Sequence, residues 1–363
     1  MSGSTYRRPR LQVLANGQPV AGAERAEVTS NGYQQADRFH VTVVIGPDAT
    51  MTPAWWSDNA DVTLDIRVGM LADGAAEGTA AFTSLLIGAV DKIDIDLIEG
   101  RIELTGRDKS ALLIDTKTQE TFANKTSSQI ATILAGRHGL TPNVTATSKP
   151  VGQYYELEHD HITLGNFSAT TTDWDLLAYL ARLEGFDVWV SGNVLNFGPP
   201  PTGGTPFPLV FQAGAAPSLN AGSLVMERSL TLARDVQVTV KSWRSADSAA
   251  TTRVVRAPGA NNVSTGAAQN YDLTCANKTP QEALVAAQQY LAALTRQERI
   301  LRVTMPGELT LNTRSQVSLS GTGTAFDQTY FVAEIERTLS WSTGFEQTLR
   351  LKNSSPRSTV VER

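Results

Sequence analysis

The sequence predicts a mainly β protein with α+β insertions, built as two related β domains with a mixed α/β domain between them. Short segments of alternating polarity, separated by turn residues, fill positions 1–108 and return after Leu224. Between them the apolar spacing changes to three and four residues, which is helical. The early strand pattern also recurs late in the chain, in the same order.

In the first domain, 1–108, Leu11-Gln12-Val13-Leu14 runs into the Asn16-Gly17 turn. Phe39 to Ile45 is an apolar strand closed by Gly46-Pro47, and Val62, Leu64, Ile66 and Val68 share one face of the next. Leu85 to Leu97, the Glu99-Gly100 turn and Arg101 to Thr105 form a hairpin. Short strands of this kind suit a closed or sandwiched sheet.

The mixed domain, 109–208, opens with Ser110 to Asp115 turning out of that hairpin. A helix is expected near Ser127 to Arg137, capped by Thr126, Ser127 or Ser128 and stopped at Gly139. A second helix starts at Thr172-Asp173, with Trp174, Leu177, Tyr179, Leu180 and Leu183 as its core-facing stripe before Gly185. A hairpin turning at Gly192-Asn193 follows, then a proline- and glycine-rich link over 198–204.

The second β domain is placed at 209–245 and 300–352, interrupted by an insertion at 246–299. Ala36 to Val43 lies on Ala233 to Val240 without a gap, the strand at Gln316 to Leu319 stands where Val62 to Val68 stood, and the hairpin Val332 to Leu351 repeats Gly88 to Thr105. The insertion reads as an extended or disordered stretch over 246–270, then one helix from Thr279-Pro280 through Leu294. Residues 353–363 read as a flexible tail.

Composition narrows function. A net charge of −5 argues against a general nucleic-acid binder, and the basic run Arg7-Arg8-Pro9-Arg10 reads as solvated chain flanking the first strand. The single cysteine, Cys275, permits neither an intrachain disulfide nor a cysteine metal cluster. No apolar run reaches the roughly 18 residues of a membrane span, and no secretory leader is visible, so assembly in a cytoplasm is expected.

Chemical motifs are few. His159-Asp160-His161 is the most metal-like cluster, with both histidines on one strand face but no third ligand in view. His40 and His138 suit packing or capping. Asp91, Asp94 and Asp96 alternate with Ile93, Ile95 and Leu97 and read as the wet side of a strand, and the same pattern at Asp65, Glu103, Glu334 and Glu336 suggests a broad acidic surface. Paired carboxylates also invite a glycosidase reading, but no apolar pocket is visible to raise a pKa. No cofactor motif and no catalytic constellation is found.

The segment Leu104-Thr105-Gly106-Arg107-Asp108, followed by the helix start Lys125-Thr126-Ser127-Ser128 and the turn His138-Gly139-Leu140, resembles the baseplate hub proteins of phage tails. These are the late control protein D group of contractile-tailed phages, with the hub part of type VI secretion spikes. The resemblance extends over nearly the whole layout and implies tail-tube-like barrels. It implies a homotrimer whose barrels alternate as a pseudo-sixfold ring, joining a hexameric tail tube or tube-initiator protein to a trimeric central spike, beside baseplate wedge components. DNA would pass through the channel without specific binding during genome ejection, with Asp91, Asp94 and Asp96 as candidate channel-lining acids. Because the chain ends near Leu351 with no appended fold, the spike is expected to be a separate polypeptide. The expected location is the tail baseplate of the virion, and a contractile tail is favoured. The alternative is a tail-associated cell-wall hydrolase or polysaccharide-binding protein, with Trp55, Trp56, Trp174 and Trp189 as candidates for an aromatic cleft.

Overall fold

The computed structural model describes residues 8–32, 34–47, 51–71, 81–117, 120, 122, 124–148, 150–151, 172–200, 204–214, 218–230, 236–244, 248–257, 269–275, 278–295, 298–353 and 361–362. The first β unit comprises β1 (Arg8–Ala15), β2 (Gln18–Pro19), β3 (Ala23–Asn31), β4 (Arg38–Val44), α1 (Pro53–Asp58), β5 (Thr63–Leu71), β6 (Phe82–Asp96) and β7 (Arg101–Asp108). The mixed region follows with α2 (Ser110–Asp115), α3 (Ser127–Arg137), β8 (Thr141–Val144), α4 (Asp173–Glu184), β9 (Asp187–Ser191) and β10 (Val194–Gly198). Next come β11 (Phe207–Gln212), β12 (Ser218–Leu219), β13 (Ser223–Arg228), β14 (Val236–Arg244), β15 (Ala249–Ala257), β16 (Gln269–Thr274) and α5 (Pro280–Thr295). The chain finishes with β17 (Arg299–Pro306), β18 (Gln316–Ser320), β19 (Thr329–Ser340), β20 (Gly344–Asn353) and β21 (Val361–Glu362).

The protein is mainly β, and the two β units have the same plan. Strands of the first lie in the order β3-β4-β7-β6-β5-β1-β2, and those of the second in the order β13-β17-β20-β19-β18-β11-β12. Each builds its own core from the inward-facing residues of its strands. Val28, Val41, Leu64, Ile66, Ile102 and Leu104 are buried in the first, and Leu301, Val303, Val317, Tyr330, Leu349 and Leu351 in the second. One departure is the direction of the outer strand, since β1 runs antiparallel to β5 whereas β11 runs parallel to β18.

No strand pairing among the described residues closes either unit into the barrel that the sequence suggested. In the first unit a closed barrel would pair β3 with β1. The outer edge of β3 is instead taken by β19 of the second unit, Glu334↔Asn31 through Ser340↔Arg25, so both units merge into one continuous sheet. Val68, Leu339 and Phe345 form a small apolar cluster between them.

The match of 36–43 to 233–240 is corrected by the structure. β14 belongs to a different sheet, β16-β14-β15-β21, where β15 and β16 occupy both of its edges. Its apolar face, Val236, Val238 and Val240, packs on Ala283, Leu284, Ala287 and Leu291 of α5. The strand in the place of β4 is β17, which pairs with β20 as β4 pairs with β7. The stretch expected to be loop over 246–270 contains β15, and the tail returns as β21 to pair with it.

In the mixed region the capping predictions hold. The Thr126 hydroxyl accepts from the Gln129 amide and the Thr172 hydroxyl from the Asp175 amide, each completed as a capping box. Gly185 ends α4 in the left-handed conformation, at φ 70°. These helices pack with the sheet β8-β10-β9 around Leu134, Leu177, Leu180, Leu195 and Phe197.

Candidate functional site

Two features could carry function: the polar face of the β6–β7 hairpin, and a polar junction where the units and the mixed region meet. On the hairpin, simple alternation would put Asp91 in phase with Ile93, away from Asp94 and Asp96. A bulge in β6 between Val90 and Lys92 absorbs Asp91 and resets the phase. Asp91, Asp94 and Asp96 are therefore all exposed, while Ile93 and Ile95 turn to the core. β19 carries a bulge at the matching place, between Val332 and Glu334.

The face is not the acidic surface expected. Lys92 Nζ lies 2.6 Å from Asp94 Oδ2, and Arg107 bridges Asp91 at 2.7 Å and Asp115 at 2.8 Å. Those two carboxylates hydrogen-bond the Arg107 guanidinium and raise its pKa. Asp96 is opposite Arg101 and accepts the Ile98 and Glu99 amides of the turn, each at 2.9 Å. On the neighbouring strands, His40 Nε2 and the Thr42 hydroxyl each approach Glu103 at 2.8 Å, with His40 Nδ1 3.7 Å from Glu27. The result is a polar face of both signs. A shallow depression on it is lined by Asp94, Ile95, Asp96, Glu99, Arg101 and Glu103.

The junction was missed at the level of sequence. The Asp108 amide donates to the Asp37 carbonyl at 2.9 Å. Burial pushes the Asp108 carboxyl up to about 7, with nearby Asp37 adding to it and Ser110 hydrogen bonds opposing it. Burial raises Asp37 as well, against hydrogen bonds from Asn31 and Ser30 and the charges of Arg314 and Arg337. Arg314 reaches into the mixed region, where it donates to Asp187 at 3.0 Å and lies 3.9 Å over the Trp189 ring. Arg337 is buried and donates to the Leu311 carbonyl. One signal was present, because alternation in β7 puts Asp108 in phase with Ile102 and Leu104, a carboxylate on a core face.

The remaining candidates are structural. Trp56 is buried against Trp55, ring centroids 4.8 Å apart. Trp174 is buried and donates from Nε1 to the Gln34 carbonyl at 2.6 Å, and Trp189 lies beneath Arg314. These rings are committed to packing and do not gather into a cleft beside acids. His138 caps α3 and bonds the buried Asp173 at 2.8 Å, fastening α3 to α4. His159-Asp160-His161 lies outside the described residues, and no group of three His, Cys, Asp or Glu suited to a metal occurs among the described ones.

No protein-family model matches the chain, and no curated protein does. Solved structures do match. A tail protein from Neisseria meningitidis MC58 superposes with a TM-score of 0.68 at 16% identity, covering 95% of this chain and 97% of its own. The 43 kDa tail protein of prophage MuSo2 from Shewanella oneidensis gives 0.67 at 17% identity, covering 94% and 97%. A chain of the Francisella PdpA–VgrG complex gives 0.53 at 9% identity, covering 97% of this chain and 59% of its own. The chain has the fold of phage tail proteins.

Proposed function

We propose that this protein is a structural hub subunit of a phage tail baseplate, whose three copies form a ring of six similar β units. The ring would join a hexameric tail tube to a trimeric central spike and leave a channel for DNA. The observation that carries the reading is the repeated strand order of two units fused edge to edge in one chain. A subunit with two similar contact domains absorbs a mismatch between sixfold and threefold neighbours. The likeness to tail proteins over nearly the full chain supports it.

Asp91, Asp94 and Asp96 are assigned to the channel wall in this reading. Their cations are tied up in pairs, so few are left to hold phosphate, and passing DNA would not stick. Light scattering on the purified chain over a range of concentrations tests the ring. A mass of three chains is expected, and a monomer that also clears peptidoglycan on a zymogram would replace the hub with an enzyme. For the channel, the Asp94→Lys/Asp96→Lys variant should retain duplex DNA at low salt while the wild type does not. Tight retention by the wild type would remove the assignment.

A further inference from the structure

Among the described residues the two β units share one strand pair, β3 with β19, and each half of that pair has an unfilled counterpart elsewhere in the chain. Within the chain, Glu334 to Ser340 of β19 receives β3 antiparallel. By strand order, β6 holds in the first unit the place of β19, and β13 holds in the second the place of β3. Beyond its bulge β6 pairs with β7 on one side, and β5 leaves the other side after Ala89. β13 pairs with β17 alone. Among the described residues, no strand covers either edge.

The side chains at those edges match the internal junction. Aligning the hairpins on their bulges, Asp91 with Ala333, puts Ile93, Ile95 and Leu97 at the places of Ile335, Arg337 and Leu339. Aligning β13 with β3 through β17 and β4 puts Leu224 and Met226 at the places of Ala26 and Val28. At the internal junction Ala26, Val28, Ile335 and Leu339 are all buried. In the turn that follows β6, Leu97 is 72% exposed and Ile98 98%, and on β13 Met226 is 40% exposed and Val225 59%. Apolar side chains on an uncovered strand edge invite pairing with another chain.

We propose that β6 of one copy pairs antiparallel with β13 of the next, so that a second copy of this chain fills each open edge and repeats the β3–β19 contact between chains. This rests on the ring reading and supplies its interface. The two edges are unlike, so the contact is heterologous and either closes a ring or runs on. The transferred register sets Asp94 opposite Glu227, Ile95 opposite Met226 and Leu97 opposite Leu224. Lys92, diagonal to Glu227, offsets the like charges of Asp94 and Glu227.

Cysteine cross-linking tests this in the full chain with Cys275→Ser as background. Asp94→Cys with Glu227→Cys should give, on oxidation, a covalent trimer on a denaturing gel, while either substitution alone should stay monomeric there. Thr29→Cys with Glu336→Cys, paired within the chain, should lock internally, and each variant should melt like its background. A trimer in light scattering with no cross-link overturns the edge pairing and leaves the ring. A ladder running past three chains supports the pairing and overturns trimeric closure. Covalent dimers from a single-cysteine variant mean that like edges meet, and overturn the proposal. A chain monomeric at every concentration and uncross-linked overturns both.

Discussion

The two β units keep one strand order but close the same corner with different chemistry. In the first unit the end of β7 meets the start of β4 as Asp108 against Asp37, two acids whose carboxyls are pushed up by burial. In the second, Asn353 at the end of β20 accepts from the Arg299 amide at 3.2 Å. The corner tolerates either solution because the ladder bonds that fix it are backbone bonds. What each choice sets is the response to pH. The second unit also accommodates a whole sheet and α5 between β13 and β17, where the first has only the short link from β3 to β4. Topology outlasts sequence here because alternation and register impose it, and a loop can lengthen at small cost.

The largest expected effect comes from the matching core positions Leu104 and Leu349, both fully buried. Either one changed to Ala should cost about 2–5 kcal/mol. Because β3 and β19 join the units, calorimetry should show one shared transition lowered by either change. Two transitions, each moved by only one variant, would make the units independent.

Next is Asp108→Asn. The native carboxyl keeps its proton up to about 7, against an ordinary value of 3.8, so the folded state binds more protons than the unfolded state between those values. Stability is therefore full below the lower value, falls as pH rises between the two, and then levels. Removing that slope should stabilise the variant by about 4 kcal/mol above neutral pH and by nothing in acid. Denaturant midpoints across the pH range check it, and a constant difference would refute it.

Arg314→Lys keeps the charge but loses the planar stack on Trp189 and the Asp187 geometry. A loss of about 1 kcal/mol is expected, read by thermal unfolding with Trp189 fluorescence. Smallest is Lys92→Ala. Its pair with Asp94 is more than half exposed on both sides, and the melting curve should shift by less than about 0.5 kcal/mol.

Much of this was legible from local pattern. The hairpins at Glu99-Gly100 and Thr343-Gly344, the caps at Thr126 and Thr172, and the core stripe of α4 all follow from turn chemistry and periodicity. Two of the three repeat matches fall on equivalent strands, β5 with β18 and β6–β7 with β19–β20. The third failed because Val236 to Val240 has the composition of any buried strand, and only its partners β15 and β16 reveal its sheet. The wet-face reading of Asp94 and Asp96 was sound; the Lys92–Asp94 pair lies within one strand, whereas the placing of Asp96 opposite Arg101 depends on register. The junction joins residues as distant as Asp37 and Arg337, and no spacing rule in one sequence links them.

The pairing of β3 with β19 has a consequence for synthesis. Asn31 leaves the ribosome long before its partner Glu334. At roughly 5–20 residues per second the edge of β3 waits about 15–60 s for its own β19. During that interval the β19 of a neighbouring nascent chain is a chemically identical substitute. Polysome crowding would then favour exchanged strands, with the same bonds connected through different polypeptides. A slower-translated gene, or one expressed at low temperature, lengthens the wait and should raise the exchanged fraction.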